Sequence, residues 1–286
     1  MRRYIFVEKV CGSYNASSKA RDDVSLFVKK YRTDDGNLYI EVGNNDKSKV
    51  RGTFGKIILG VCSLVDVLNT LNKDDILFVQ SSFKILKYID LIKKFKKFRV
   101  IYFIHDLDTL RDSYDNSLLN AKTIDELNNQ DVVICHNKSM LGELRRRGCK
   151  TTLIPLKIFD YYLKNVEPQK VRMKTENTGM VADVCFAGNL SQTKCGFLYL
   201  LDNCILPYRI GVYGKLETQF KHLEYMGCFT PEVLPTQLSG RFGLVWEGNS
   251  LTYNLKDHPY IMFNNPHKVS LYIVSGLPII LISENF

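Results

Sequence analysis

The chain of 286 residues is predicted to fold as α/β, with two doubly wound domains. Three observations predict it. Short β-rich runs alternate with helical patterns in both halves, as parallel strands joined by crossover helices require. The runs ILFVQ, VIYFIHD and VVICHN stay apolar until their carboxyl ends, as strands covered on both faces do. The length is generous for a single core and comfortable for two domains.

In chain order, the first half offers strands at Tyr4 to Val7, Leu38 to Val42, Ile76 to Gln80, Arg99 to Ile104, Val132 to Cys135 and Thr151 to Ile154. Helical patterns fall between them at Lys19 to Lys30, Lys56 to Asn69, Ile85 to Lys97, Asn116 to Asn128 and Ser139 to Arg147. Asp160 to Thr178 is polar, charged and without period, which reads as an interdomain linker with a short helix at Phe159 to Leu163 before it. The second half resumes with strands in Asp183 to Phe186, Tyr208 to Tyr213, His222 to Phe229, Phe242 to Trp246 and Pro278 to Ile282. The expected domains are 1–157 and 158–286, both Rossmann-like, facing one another across a cleft.

Polar residues cluster where such strands end, and ligands of open parallel sheets bind outside those carboxyl ends. Gln80, His105, Asp106, His136 and Asn137 hold such places in the first half. In the second, Phe186 leads into Gly188, Asn189 and Lys194, while Trp246 leads into Glu247, Gly248 and Asn249. The stretch FNNPHKVSLYIVSGLP, Phe263 to Pro278, places Asn264, Asn265, His267 and Lys268 at the start of an apolar helix. A helix N-terminus carries unpaired N–H groups and partial positive charge, so a lysine there suits a shared anion such as phosphate. The same residues also describe an ordinary Pro-started helix whose lysine points into water. His105 and Asp106 likewise read either as a functional pair or as a strand end followed by a helix cap.

The net charge is +9 with a pI near 9.0, and it arises in clusters. Lys84, Lys87, Lys93, Lys94, Lys96, Lys97 and Arg99 fall within or beside one helix with Phe83, Leu86, Ile89, Ile92 and Phe95 interleaved. That pattern fits either an anionic membrane surface or a solvated lysine face over a packed one. Arg145, Arg146 and Arg147 end another helix. The basic residues match no nucleic-acid motif, so nucleic acid is not an expected partner. The apolar run before Glu8 is too short for a signal peptide or a membrane span. The eight cysteines have no CxxC spacing and read as reduced core residues in a cytoplasmic protein. Dinucleotide, Walker A, HExxH, GxSxG and paired-cysteine signatures are absent.

Seven stretches together resemble a bacterial family of sugar transferases with the two-domain architecture called GT-B. They are KARDD from Lys19, FIHDLDTLRD from Phe103, VVICHNKSM from Val132, KIFDY from Lys157, FAGNLSQTKCGF from Phe186, RFGLVWEGNS from Arg241 and FNNPHKVSLY from Phe263. The family includes β-1,6-galactofuranosyltransferases of O-antigen assembly and a glucosyltransferase that extends GlcNAc on serine-rich-repeat adhesins. The resemblance implies transfer of a hexose, foremost galactofuranose from UDP-galactofuranose, to a hydroxyl of a growing surface glycan of O-antigen or capsule type. It implies no metal and no cofactor, the UDP-sugar being substrate.

By the same resemblance the second domain binds donor through Asn189, Lys194, Tyr213, Glu247, Asn265, His267 and Lys268. The first takes the acceptor, with Lys19 and Arg21 as contacts and Asp106 as general base, oriented or replaced by His105. Partners implied are a lipid-linked or protein-linked glycan, a peripheral contact with the inner face of the cell membrane, and a homo-oligomer. Relatives continue past the strand PIILIS, so the C-terminal part, ending at Phe286, is expected to be incomplete. Two alternatives remain open: a glucosyl- or galactosyltransferase acting on protein-linked GlcNAc, and a non-catalytic GT-B partner protein.

Overall fold

The computed structural model describes residues 3–6, 16–34, 39–42, 65, 69, 71–80, 86–111, 117–163, 182–252 and 260–281. Contacts divide the chain into two units. The first is Met1–Cys11, Arg21–Lys157 and Met262–Asn264; the second is Gly12–Ala20, Ile158–Ile261 and Asn265–Phe286. The helix expected over Lys56 to Asn69 lies outside the described residues except at Val65 and Asn69, and most of the expected linker lies outside them as well.

The first unit is built on a six-stranded sheet in the order β2-β1-β3-β4-β5-β6. Its strands are β1 (Arg3–Phe6), β2 (Tyr39–Val42), β3 (Ile76–Val79), β4 (Arg99–Phe103), β5 (Val132–Cys135) and β6 (Thr152–Pro155). All these neighbours pair in parallel. The order reverses between β1 and β3, the arrangement of a flavodoxin-like sheet with a ligand crevice at that point. The helices are α1 (Ala16–Asp34), whose first five residues fall in the second unit, α2 (Leu86–Lys93), α3 (Asp108–Arg111), α4 (Ser117–Asn128) and α5 (Lys138–Arg146). Helix α2 stops four residues before the expected Lys97, because Lys94 and Phe95 turn back onto the carbonyls of Leu91 and Ile92. Asn137 caps α5, its side chain accepting from the Met140 N–H at 2.8 Å.

The second unit carries a five-stranded sheet in the order β11-β10-β7-β8-β9. The strands are β7 (Val184–Ala187), β8 (Ile210–Tyr213), β9 (Glu224–Gly227), β10 (Phe242–Leu244) and β11 (Ile279–Ile280), again all parallel. Order reverses between β7 and β10, so the turns after those two strands flank a switch point. Helices here are α6 (Gln192–Leu201), α7 (Leu234–Gln237), α8 (Tyr260–Phe263), whose last two residues fall in the first unit, and α9 (His267–Val274). Alternation along the strands fills two core layers. Cys185, Ala187 and Tyr213 pack with Val269, Leu271 and Tyr272, whereas Phe186, Ile210 and Val212 pack with Phe197 and Leu198.

The short helix expected at Phe159 to Leu163 does not form. Side chains hold the carbonyls of this segment: Ser270 Oγ donates at 2.6 Å to Phe159 O, the carbonyl that the Leu163 N–H would take in a helix, Lys19 Nζ donates to Tyr162 O at 2.7 Å, and the Asp160 carbonyl accepts from His267. The segment is thereby held open as a wall.

One buried carboxylate locks the second unit. Asp202 follows the last turn of α6, where a negative charge opposes the helix dipole. Its oxygens accept the backbone N–H groups of Lys221 at 2.9 Å, His222 at 2.7 Å and Leu223 at 3.1 Å. Burial pushes the Asp202 carboxyl up, but these three amides outweigh it and hold the pKa below the usual value. Asp202→Asn is therefore expected to lose about 1–3 kcal/mol in urea unfolding at neutral pH. Because the folded-state pKa is depressed, this advantage exists above the ordinary aspartate pKa and fades as pH falls through the folded value, so the two unfolding curves converge on acidification.

Candidate functional site

The second unit contains a cavity of about 650 Å³ outside the carboxyl ends of β7 and β8. Three lysines line it, Lys19 from α1, Lys215 from the turn after β8 and Lys268 from the first turn of α9, against one carboxylate, Glu217. A concave site with that balance suits an anion.

Glycines set its floor. Gly188 follows β7 and Gly214 follows β8, with φ of +150° at Gly214. A Cβ on Gly214 would lie 2.0 Å from the Gly188 carbonyl oxygen, and one on Gly188 would lie 2.9 Å from Lys268 Cε. The two turns therefore pack backbone to backbone with the Lys268 stem laid across them. Lys268 Nζ donates to Trp246 O at 3.2 Å, sits 3.7 Å from Glu247 Oε1 and lies 4.4 Å from the centre of the Phe186 ring. Its side chain is largely enclosed while that of Glu247 is about half exposed. No side chain caps α9, whose N-cap is Pro266.

A second wall is aromatic. His267 stacks on Tyr161 with ring centres 5.0 Å apart and meets Phe159 edge-on at 5.9 Å. Lys19 Nζ stands over the Tyr161 ring, 4.8 Å from its centre, and Tyr161 Oη donates to Pro231 O at 2.6 Å. Burial pushes the His267 pKa down to about 4; the Asp160 carbonyl opposes the shift and the Lys19 charge adds to it. Among the described residues, His267 Nε2 has no hydrogen-bond partner.

The residues nominated from sequence divide as follows. Lys19, Asn189, Tyr213, His267 and Lys268 line the cavity. Asn189 also turns its Oδ1 to the Ser191 N–H at 2.8 Å. Tyr213 offers only its ring: its hydroxyl donates to Gln237 O and accepts from Ser239 N, and burial pushes its pKa up to about 12. Glu247 stands beside Lys268; Lys194 and Asn265 are not among the lining residues. Lys19, expected on the acceptor side, belongs with the second unit. Sequence reasoning did not single out Tyr161, Lys215 or Glu217. The last two follow a strand end and its glycine, as Asn189 does, so the same positional rule reaches them; Tyr161 becomes a wall only because its segment refuses to be helical.

In the first unit, the carboxyl ends of β3 and β4 gather a separate polar group. Gln80 Nε2 donates to Arg21 O at 3.0 Å and Ser25 Oγ at 2.6 Å, and Arg21 Nε returns a bond to Gln80 O at 3.2 Å. His105 Nε2 donates to Gln80 Oε1 at 3.1 Å, which places the ring proton on that nitrogen. Asp106 follows, exposed, ahead of α3. His136 Nε2 donates to Ile104 O at 3.0 Å, and burial holds its pKa below the usual value. Arg21 and Gln80 thus latch α1 to the sheet, and His105 is aimed by that latch.

Comparison with known proteins matches residues 4–158 to the N-terminal domain of the glucosyltransferase 3-like family and residues 184–285 to its C-terminal domain. The β-1,6-galactofuranosyltransferase WbbI of Escherichia coli strain K12 is 33% identical over 214 residues, which make up 73% of this chain and 60% of that protein. Among solved structures, a sucrose-phosphate synthase from Thermosynechococcus elongatus superposes with a TM-score of 0.56 at 10% identity, covering 93% of this chain and 80% of its own. A trehalose-6-phosphate structure from E. coli, bound with UDP-2-fluoro glucose, superposes at 0.51 with 11% identity, over 86% of this chain and 78% of its own. At those identities the likeness is one of fold, and the fold is GT-B.

His267 should remain a neutral imidazole across the physiological range. In an NMR titration its ring signals are expected to stay flat until they shift with a midpoint of about 4. The unfolded chain takes up the proton near the ordinary 6.5, so the His267 contribution to stability falls as pH drops from about 6.5 to about 4. His267→Phe should flatten that part of the stability profile.

Proposed function

The chain belongs to the glucosyltransferase 3-like family, and from that premise we propose that it is a glycosyltransferase using a UDP-sugar donor, foremost UDP-galactofuranose. The observation that carries this reading is the cavity lined by Lys19, Lys215 and Lys268 at the carboxyl ends of parallel strands. We assign the second unit, which is 158–286 less Met262–Asn264 and with Gly12–Ala20 added, to the donor and the first unit to the acceptor, a lipid-linked surface glycan at the inner face of the cell membrane.

In this mechanism the departing UDP gathers negative charge on its β-phosphate. Lys268 and the uncapped amides of α9 meet that charge in a site prearranged by the glycine turns, which is the service a divalent cation gives in metal-dependent transferases. Glu247, released from Lys268 as phosphate takes its place, accepts hydrogen bonds from sugar or ribose hydroxyls. Asn189 and the rings of Tyr213 and His267 shape the pocket around the donor. On the acceptor side Asp106 takes the hydroxyl proton as general base, with His105 holding it in line.

The family description, glucosyltransferase 3-like, supports a second reading in which the sugar moved is glucose; with UDP-glucose as donor, the acceptor in that reading is a protein-linked glycan. A panel of UDP-sugars including UDP-galactofuranose and UDP-glucose, assayed for hydrolysis and transfer, separates the two. Turnover of neither, by full-length protein, would leave the non-catalytic alternative standing. EDTA should leave the rate unchanged. Lys268→Ala is expected to weaken UDP binding roughly tenfold to a hundredfold, the scale of one lost charge-assisted bond. Asp106→Asn should bind UDP normally while transfer falls by about a hundredfold or more; the opposite pattern would exchange the roles of the units.

A further inference from the structure

We propose that the C-terminal end of α2 docks this protein on an anionic lipid bilayer. The apolar residues that the sequence offers for such a role along this helix are mostly spent on the core: Leu86, Ile89 and Ile92 are 0%, 2% and 4% exposed. A different stripe faces outward. Tyr88, Leu91 and Phe95, at i, i+3 and i+7, are 43%, 52% and 78% exposed. They lie on one side of the helix and of the turn that ends it.

Charge names the occupant. Lys94, Lys97 and Arg99 are exposed within and just beyond that turn. The Asp74 N–H donates to Lys97 O at 3.0 Å, which brings the exposed Lys73 alongside. Two other lysines of the cluster are already tied down, Lys93 on Asn129 O and Asp131, and Lys96 on Leu71 O. Of the nearby acids among the described residues, Asp75 is buried, Asp90 accepts from Asn129 and Gln130 and Asp131 is held by Lys93, which leaves Asp74 as an exposed carboxylate beside four cations. The arginines ending α5 offer no rival patch. Arg146 and Arg147 pair with Glu143, whose carboxyl the Arg146 hydrogen bonds hold down at about 2, and Arg145 donates to Cys149 O.

An apolar centre with a cationic rim fits acyl chains below anionic headgroups, with the aromatic rings at the interface and the lysines reaching outward. A second copy of the chain fits poorly, since a two-fold contact would set this cationic rim against its own image. The patch lies near the amino ends of β3 and β4, which begin at Ile76 and Arg99. Gln80, His105 and Asp106 stand at the opposite ends of those strands, so docking leaves the polar group of this unit uncovered.

The test is co-sedimentation of the full chain with vesicles of phosphatidylcholine alone and of phosphatidylcholine mixed with phosphatidylglycerol. Binding is expected on the mixed vesicles only, and should fall with added salt. Lys94→Glu with Lys97→Glu should lower it roughly tenfold or more, and Leu91→Ser with Phe95→Ser should lower it several-fold, both pairs keeping the native melting temperature and UDP-sugar turnover. Equal binding to both vesicle types would overturn the proposal. So would anionic binding indifferent to both double variants, or a concentration-dependent dimer lost in Leu91→Ser/Phe95→Ser, which would give the stripe to a second copy. The proposal is independent of the donor assignment, for vesicle binding and turnover are read separately.

Discussion

Everything at the cavity of the second unit depends on how closely α9 approaches the second sheet. Gly243 in β10 has no side chain, and a Cβ there would sit 2.3 Å from the Tyr272 ring. Tyr272 occupies that gap, accepts the Ala187 N–H at 2.9 Å and donates to Leu244 O at 3.1 Å. A single buried hydroxyl thus ties the helix to the ends of both strands that flank the switch point. One turn earlier on the same helix, Lys268 is consequently laid over Gly188, and its ammonium reaches Trp246 O and Glu247. The cation has its place before any ligand arrives, which is the condition for stabilising charge without reorganisation.

That approach also explains why the cavity wall is built from an irregular segment. A helix over 159–163 would satisfy only the Phe159 carbonyl internally, and the side chains of Ser270, His267 and Lys19 take the carbonyls of Phe159, Asp160 and Tyr162 instead. Two of the three come from α9 itself. Fixing α9 therefore fixes the Tyr161 wall, and the stack of Lys19, Tyr161 and His267 follows from it.

Much of the strand order was legible because burial on both faces leaves an unbroken apolar run, and the polar residue that ends each run marks the ligand side. Val132 to Cys135 agrees in both of its limits, and the other strands agree to within a few residues. Lys268 was legible from its place at a Pro-started helix. Less legible were features that depend on a partner distant in sequence. Lys19 lies in the KARDD stretch beside Arg21, yet the first packs on Tyr161 and the second bonds Gln80, a separation that two residues of sequence cannot announce. Lys194 holds a promising place after Gly188, but α6 is broken at Cys195, where φ is −133°, and the Glu247–Asn249 turn is bonded into that break through Asn249 and Gly196. Strand-end position alone does not encode that break.

The net charge of +9 resolves into parts that behave differently. Of the arginines ending α5, Arg146 and Arg147 share the Glu143 carboxylate, whose pKa they hold down at about 2, and Arg145 is bonded to Cys149 O. Lys19 and Lys268 at the cavity sit over aromatic rings and on carbonyls, which hold a cation in place without cancelling its charge, and Lys268 meets Glu247 besides, at 3.7 Å. Lysines after α2 instead surround exposed apolar side chains. Only the last two arrangements leave positive charge available to a ligand, one enclosed on a concave floor and the other spread over a convex rim. An enclosed pair of cations selects a compact anion, while a convex rim around a hydrophobic stripe selects an extended anionic surface. The same residue type therefore serves two recognitions, and backbone geometry at Gly188 and at the end of α2 decides which.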